Sequence, residues 1–151
     1  MIRSKVKDLL LIDADDQETA TDFTILRNEE REEGAGYTSI FISGSAVRTE
    51  TKRLKDKYED ILIDTGGRDT ASQRAALSVA DVLLVPFVPR SFDVWTLEKV
   101  SELVGEMRTT NPQLRAYAFI NRADWHGRDN SDAAEIIQDT AELEFIDCPY
   151  L

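Results

Sequence analysis

Six short apolar runs alternate with helix-forming stretches along the chain, and this alternation leaves few possible folds. Strands that alternate with helices in this way form parallel sheets connected by helical crossovers. Two of the runs, Leu9 to Ile12 and Val82 to Val85, are apolar at every position, so we expect both of their faces to be buried. We therefore predict an α/β fold with a mostly parallel, doubly wound sheet of about six strands. The predicted strands are Leu9 to Asp13, Thr38 to Ser43, Ile61 to Asp64, Val82 to Phe87, Ala116 to Asn121 and Leu143 to Asp147.

Helix signals occupy the stretches between these runs. Ser91 is a typical N-cap residue, Asp93 is favoured in the first turn by the helix dipole, and Asn111 with Pro112 ends that helix. The sequence shows no internal repeat or linker, so we predict a single domain over residues 1–151. The predicted helices are Thr19 to about Glu33, Val47 to Tyr58, Thr70 to Val79, Ser91 to about Met107, and Asp132 to Thr140.

Charge and composition restrict the partners of the chain. Its 151 residues carry 29 acidic and 18 basic side chains, a net charge of −11, which repels phosphate backbones. Direct DNA binding is therefore expected to be weak. No apolar run approaches the length of about 18 residues that a membrane span needs. A single cysteine, Cys148, forms no internal disulfide, which favours a cytoplasmic location.

Acidic residues follow two of the predicted strands. Asp13 and Asp15 come at the end of the first run, and Asp64 ends the third. If these strands are neighbours, the three carboxylates lie at one edge of the sheet, where ligands bind in open α/β folds. Magnesium prefers such oxygen ligands, together with water and phosphate oxygens. The alternative interpretation is that the aspartates cap the helices that follow.

Four segments occur in this order along the chain: LLLIDADDQETATDF, residues 60–96, AFINR and EFIDCP. Together they resemble the ParA/MinD family of partition and positioning ATPases. The segment LLLIDADDQETATDF is similar to the motif in which a family strand ends in Asp-x-Asp-Pro-Gln. Residues 60–96 resemble the Walker B strand and the ADVLLVP strand that follows it. Residues 118–122, AFINR, and 144–149, EFIDCP, resemble the two later strands of that family. The resemblance covers nearly the whole chain and implies a P-loop NTPase-like fold.

The resemblance also implies roles for particular residues. Asp13 corresponds to the catalytic aspartate that orients the attacking water. Asp64, with Asp15 beside it, corresponds to the magnesium site. The remaining implied positions are the mobile γ-phosphate turn at Gly66 and Gly67, and the adenine side at Asn121 and Pro149. ATP and Mg²⁺ are the implied cofactors. A ParB-like centromere-binding protein and a second copy of the chain are the implied partners, and plasmid segregation is the implied process.

One family element is absent from these 151 residues. The Lys-Gly-Gly-x-Gly-Lys-[ST] loop, which holds the phosphates through backbone amides and a lysine, does not occur in them. We also expect the chain to be truncated at its C-terminus relative to the family, and Asp16 replaces the usual proline. Phosphoryl transfer depends on positioning and charge stabilisation, so we predict that this chain alone neither binds ATP tightly nor hydrolyses it.

The missing strand of the family sheet would lie between the runs that end at Asp64 and Phe87. The sheet can close directly, or a second copy can pair along the exposed edges, and we favour a dimer. Two other functions stay open. The first is that of an active ATPase whose loop lies outside these residues. The second is that of a metal-binding module that does not use nucleotide.

Overall fold

The computed structural model describes residues 8–67, 70–88, 94–121 and 129–147. The chain divides into two compact units, Met1–Val79 and Ala80–Leu151, and each is described here by itself. The prediction of one domain stays a prediction. The first unit contains β1 (Leu9–Asp13), α1 (Thr19–Glu30), β2 (Thr38–Phe41), α2 (Ala46–Leu54), β3 (Asp60–Asp64) and α3 (Ala71–Leu77). The second contains β4 (Val82–Phe87), α4 (Val94–Arg108), β5 (Arg115–Ile120), α5 (Asp129–Gln138) and β6 (Glu144–Ile146).

The first unit is built on a parallel sheet with the strand order β2-β1-β3. The central strand β1 is buried from Leu10 to Asp13, as its continuous apolar run predicts. Helices α2 and α3 contribute Val47 and Ala76 to a small core beside Ala14. The central position of β1 places its carboxyl end between those of two neighbouring strands.

The second unit is also a parallel sheet, with the strand order β4-β5-β6. Its core joins α4 and α5 to the central strand β5 through Leu97, Val104, Ala118 and Ile137, which are all buried. Within the described residues, no helix is long and apolar enough to cross a membrane.

The predicted α/β class and its parallel strands are confirmed, and the strand boundaries agree within two residues. The expectation that both faces of β4 are buried is wrong. This strand lies at the edge of its sheet, and Val82 and Leu84 on one face are 39% and 54% exposed. Continuous apolar sequence identifies a strand, but its burial depends on what covers each face. The predicted helix start at Ser91 lies outside the described residues.

Helix α1 packs through small and polar side chains. Thr24 is buried, donates its hydroxyl to the Ala20 carbonyl at 2.8 Å, and shares a 3.1 Å hydrogen bond with the Tyr37 hydroxyl. The large apolar residues of the helix, Phe23 and Leu26 among them, are exposed instead. This helix therefore presents its most apolar side chains to solvent.

Candidate functional site

Two of the predicted site aspartates are direct neighbours in the sheet of the first unit. Asp13 ends β1, Asp64 ends β3, and the two residues are partners in the parallel register. The backbone N–H of Ala14 donates to the Asp64 carbonyl at 2.8 Å, which extends the contact past the end of the ladder. The carboxyl ends of both strands therefore meet at one edge, as the sequence predicts.

Asp13 is completely buried, and its carboxylate accepts three hydrogen bonds. Its Oδ2 accepts from the backbone N–H and the hydroxyl of Thr21, both at 2.8 Å. Its Oδ1 accepts from the Asp15 N–H at 3.2 Å. A buried carboxylate requires such partners, because an uncompensated charge away from water is costly. In this arrangement Asp13 fixes the loop after β1 and the start of α1.

The start of α1 explains why Asp13 is needed there. The N-cap residue, Glu18, has left-handed backbone angles (φ 53°, ψ 27°) and no capping hydrogen bond from its own side chain. Thr21 lies in the first turn, where backbone N–H groups have no partner within the helix. Asp13, eight residues earlier in the chain, accepts from that N–H instead. Sequence reasoning missed Thr21, because helix capping is normally sought in the residue next to the helix.

Asp15 lies against the turn that follows β3. A Cβ atom added to Gly66 would lie 3.1 Å from Cγ and from both carboxylate oxygens of Asp15, closer than an ordinary contact. An alanine at position 66 would therefore require the Asp15 side chain to shift by a few tenths of an ångström. The Oδ1 atom of Asp15 also accepts from the Gln17 N–H at 3.2 Å. At Gly67 a Cβ atom would meet no atom within 4 Å.

The carboxylates of Asp13 and Asp15 affect the pKa of Asp64. Partial burial raises the pKa of the Asp64 carboxyl above its ordinary value, and the negative charges of Asp13 and Asp15 raise this pKa further. A group of this kind holds its proton more tightly in the folded protein. The edge is therefore a region of excess negative charge, which attracts cations and repels anions.

A second connection stabilises the same end of the first unit. Gly44, with φ +66°, follows β2 and donates its N–H to the Ser72 hydroxyl at 2.8 Å. Ser72 is buried in the first turn of α3. Neither residue was among the predicted site residues. The hydrogen bond fixes the loop after β2 to α3.

Two further predicted residues, Asn121 and Pro149, belong to the second unit of the chain. Asn121 follows β5 in the second unit and donates its backbone N–H to the Phe87 carbonyl at 2.6 Å. Pro149, predicted for the adenine side, is outside the described residues. The structure thus gathers Asp13, Asp15, Asp64 and Gly66 at one edge of the first unit.

Two carboxylates at this edge are suitable ligands for a hard cation. Carboxylate oxygens of Asp15 and Asp64 are the ligand type that Mg²⁺ takes, usually one or two at a time with water and phosphate oxygens completing the shell. Among the described residues, no group of three or more His, Cys, Asp or Glu side chains is arranged to hold a metal ion. The carboxylates of Asp15 and Asp64 thus supply the type of oxygen that Mg²⁺ binds, and water and phosphate oxygens would be the other ligands of such an ion.

Comparison with known proteins is consistent with this geometry. Residues 32–141 match the family model described as the ATPase MipZ, and this range includes Asp64 and Asn121. The chain belongs to the MipZ ATPase family. The resemblance to ParA/MinD-type ATPases that the motifs indicate is thereby confirmed.

Two curated relatives of this MipZ-family chain are ParA family proteins. The protein from Mycoplasma pneumoniae is 24% identical over 90 residues, which are 60% of this chain and 33% of the relative. ParA family protein MG470 from Mycoplasma genitalium is 22% identical over 91 residues, which are 60% of this chain and 34% of the relative. The chain thus spans about a third of the length of these relatives.

A solved structure described as a partition protein has the same fold. It superposes with a TM-score of 0.62 at 21% identity, over 93% of this chain and 53% of that one. At this identity the likeness bears on the fold alone, and it agrees with the α/β fold with parallel sheets described above.

Proposed function

We propose that the aspartate edge of the first unit is the magnesium and γ-phosphate side of a ParA-type nucleotide site. The observation that supports this most directly is the pairing of Asp13 with Asp64 on adjacent parallel strands, with the Asp15 carboxylate against Gly66. In this proposal Asp64 and Asp15 face the magnesium ion, and Gly66 with Gly67 forms the turn towards the γ-phosphate. Asp13 holds the loop after β1 in place and corresponds to the catalytic aspartate of the family.

We propose, from the family motifs that they resemble, that Asn121 and Pro149 contact adenine. Asn121 follows a parallel strand of the second unit, and its backbone is fixed by the hydrogen bond to Phe87. Its side-chain amide has both the donor and the acceptor that an adenine edge requires. Pro149 belongs to the same proposed region by its position in the family motif. ATP and Mg²⁺ are the proposed cofactors, and the magnesium ion would neutralise phosphate charge when bound.

We further propose that these 151 residues alone hold ATP weakly and do not hydrolyse it. The sequence contains no Walker A lysine or amide loop, while Asp13, Asp15 and Asp64 add negative charge at the edge. Burial raises the pKa of Asp64, and the neighbouring charges of Asp13 and Asp15 raise it further. The negative charges of these carboxylates would also repel a triphosphate, and a bound magnesium ion would reduce only part of that repulsion.

At the level of the cell, the proposed role is plasmid partition in the cytoplasm. The proposed partners are a second copy of the chain and a ParB-like centromere-binding protein, following the family. The net charge of −11 opposes direct DNA binding by the chain itself. A sharp monomer mass in sedimentation at micromolar concentration would count against the dimer.

Titration with a fluorescent ATP analogue, with and without Mg²⁺, tests the nucleotide proposal. We expect no saturation below about millimolar ligand, which corresponds to about −4 kcal/mol of binding free energy. Magnesium should raise the melting temperature of the wild type, and Asp64→Asn should reduce that rise. Asp16→Asn, which removes an exposed carboxylate of the neighbouring loop, should leave the magnesium effect unchanged. Micromolar ATP affinity would refute the proposed inactivity, and equal magnesium responses in both variants would refute the proposed metal side.

A second candidate is an active Mg-dependent partition ATPase whose Walker A loop lies outside these residues. The partial coverage of the relatives supports it, because this chain matches only about a third of each. Reading the coding DNA upstream of Met1 distinguishes the two candidates. An in-frame Lys-Gly-Gly-x-Gly-Lys sequence would favour the active enzyme.

A further inference from the structure

Helix α1 exposes its three largest apolar side chains on its outer half, with Leu26 three residues from Phe23 and next to Ile25 in the sequence. Phe23 is 56% exposed, Ile25 51% and Leu26 58%, whereas Thr24 on the opposite face is buried. Taking about 200 Å² for a large side chain, these fractions amount to about 300 Å² of apolar surface on one helix. A patch of about this size is comparable to the largest apolar patch of a typical soluble monomer, which is often functional.

Acidic residues surround this patch on the same helix. Asp22 lies one turn before Leu26, and Glu29 and Glu30 lie three and four residues after it. Residues three or four apart are neighbours on a helix surface, so these carboxylates flank Leu26 at both ends. All three acids are exposed. The outer face of α1 is therefore apolar in the middle and negative at its ends.

We propose that the outer face of α1, formed by Phe23, Ile25 and Leu26, binds a basic amphipathic helix of another protein. Apolar residues of that helix would pack on the three side chains, as in helix-in-groove recognition. Its lysines or arginines would contact the carboxylates of Asp22, Glu29 and Glu30. The proposal depends on the α1 surface alone and is independent of the proposed nucleotide function.

Charge and area both favour this partner over a second copy of the chain. Two copies that met through α1 would bring their acidic residues together, and each carries a net charge of −11. A stable protein interface also buries about 800 Å² on each side, well above the apolar area of this patch. A single helix with complementary charge matches the patch in both respects.

Fluorescence anisotropy with a designed peptide tests the proposal. The probe is a labelled helix of about 18 residues, long enough to be helical when bound, with leucines at i, i+3, i+4 and i+7 and lysines elsewhere. A second peptide carries glutamate in place of every lysine. At about 0.15 M salt, we expect the lysine peptide to bind at least about tenfold more tightly than the glutamate peptide.

Variants of the protein locate the binding. The double variant Phe23→Ser/Leu26→Ser should lose at least about tenfold in affinity for the lysine peptide, because it removes the centre of the patch. Both residues are more than half exposed, so the fold should be retained, and circular dichroism checks this. Leu84→Ser is the matched control, since Leu84 is 54% exposed in the second unit. This control should bind like the wild type.

Two results would overturn the proposal. Equal affinity of the double variant and the wild type would mean that the peptide responds only to the general acidity of the protein. A dimer mass in sedimentation that the double variant abolishes would identify a second copy as the occupant. Amide shifts on peptide addition should be confined to α1 and its immediate neighbours, and shifts centred elsewhere would also overturn the proposal.

Discussion

Replacing Asp13 by alanine should destabilise the protein by about 2–4 kcal/mol. The substitution removes the acceptor for three hydrogen bonds in a fully buried position. Hydrogen bonds to a charged group contribute about 1.5–3 kcal/mol each. Loss of a helix N-cap acceptor alone costs about 1 kcal/mol. The cost is less than the sum of these bonds, because the variant no longer buries a charge away from water.

Thr21→Val separates one contribution from the others. Valine keeps the shape of threonine and the backbone N–H, but it lacks the hydroxyl that donates to Asp13 at 2.8 Å. We expect this variant to lose about 1–1.5 kcal/mol, less than Asp13→Ala. The double variant should cost less than the sum of the two single variants, because the hydroxyl has no acceptor once Asp13 is gone.

Urea unfolding at pH 7, followed by circular dichroism, measures these losses, and hydrogen exchange of the Thr21 amide supplies a local measure. The Thr21 amide should exchange faster in Asp13→Ala than in the wild type. Asp16→Ala is the control, since it removes an exposed carboxylate of the adjacent loop and should change stability by less than about 0.5 kcal/mol. If Asp13→Ala matched this control and left Thr21 exchange unchanged, the capping role assigned to Asp13 would be refuted.

Two further predictions concern the same edge of the sheet. Asp64→Asn should raise the melting temperature at pH 7, because the raised pKa of Asp64 means that its ionised form disfavours folding. The rise in melting temperature should exceed that of Asp16→Asn. It should vanish as the pH falls below 3.8, the ordinary pKa of an aspartate side chain. Equal gains at pH 7 and pH 3.5 would contradict this reasoning. Gly66→Ala should cost less than about 1 kcal/mol but displace the Asp15 carboxylate, because that side chain is partly exposed and can rotate away from a Cβ at 3.1 Å. The carboxyl-carbon chemical shift of Asp15 should move in Gly66→Ala and stay unchanged in Gly67→Ala, and no movement in either variant would show that position 66 does not need glycine for room.

The sequence predicted the strands and the meeting of their ends well. Continuous apolar runs such as Leu9 to Ile12 favour a strand, and the parallel pairing of β1 with β3 brings Asp13 and Asp64 to one edge. The carboxylates were therefore found by position alone. The capping interpretation holds for Asp13, whose carboxylate accepts from the first turn of the following helix, while the metal interpretation stays a prediction.

The sequence did not predict features that depend on which parts of the folded chain contact each other. The Asp13 to Thr21 contact spans a loop whose path depends on the left-handed angles of Glu18, which is an uncommon conformation for glutamate. The exposure of Leu84 depends on what covers β4, and the exposure of Phe23 depends on which face of α1 meets the sheet. Apolar periodicity identifies such elements without showing which of their faces is covered.

The attachment of α1 to Asp13 has a mechanical consequence. The carboxylate at the end of β1 and the helix that carries Phe23 are joined by two short hydrogen bonds, so a tilt of the helix displaces the aspartate or breaks those bonds. A ligand that prefers one orientation of α1 would thereby alter cation affinity beside Asp13. Thermodynamic reciprocity requires the cation to change the affinity of that ligand by the same factor.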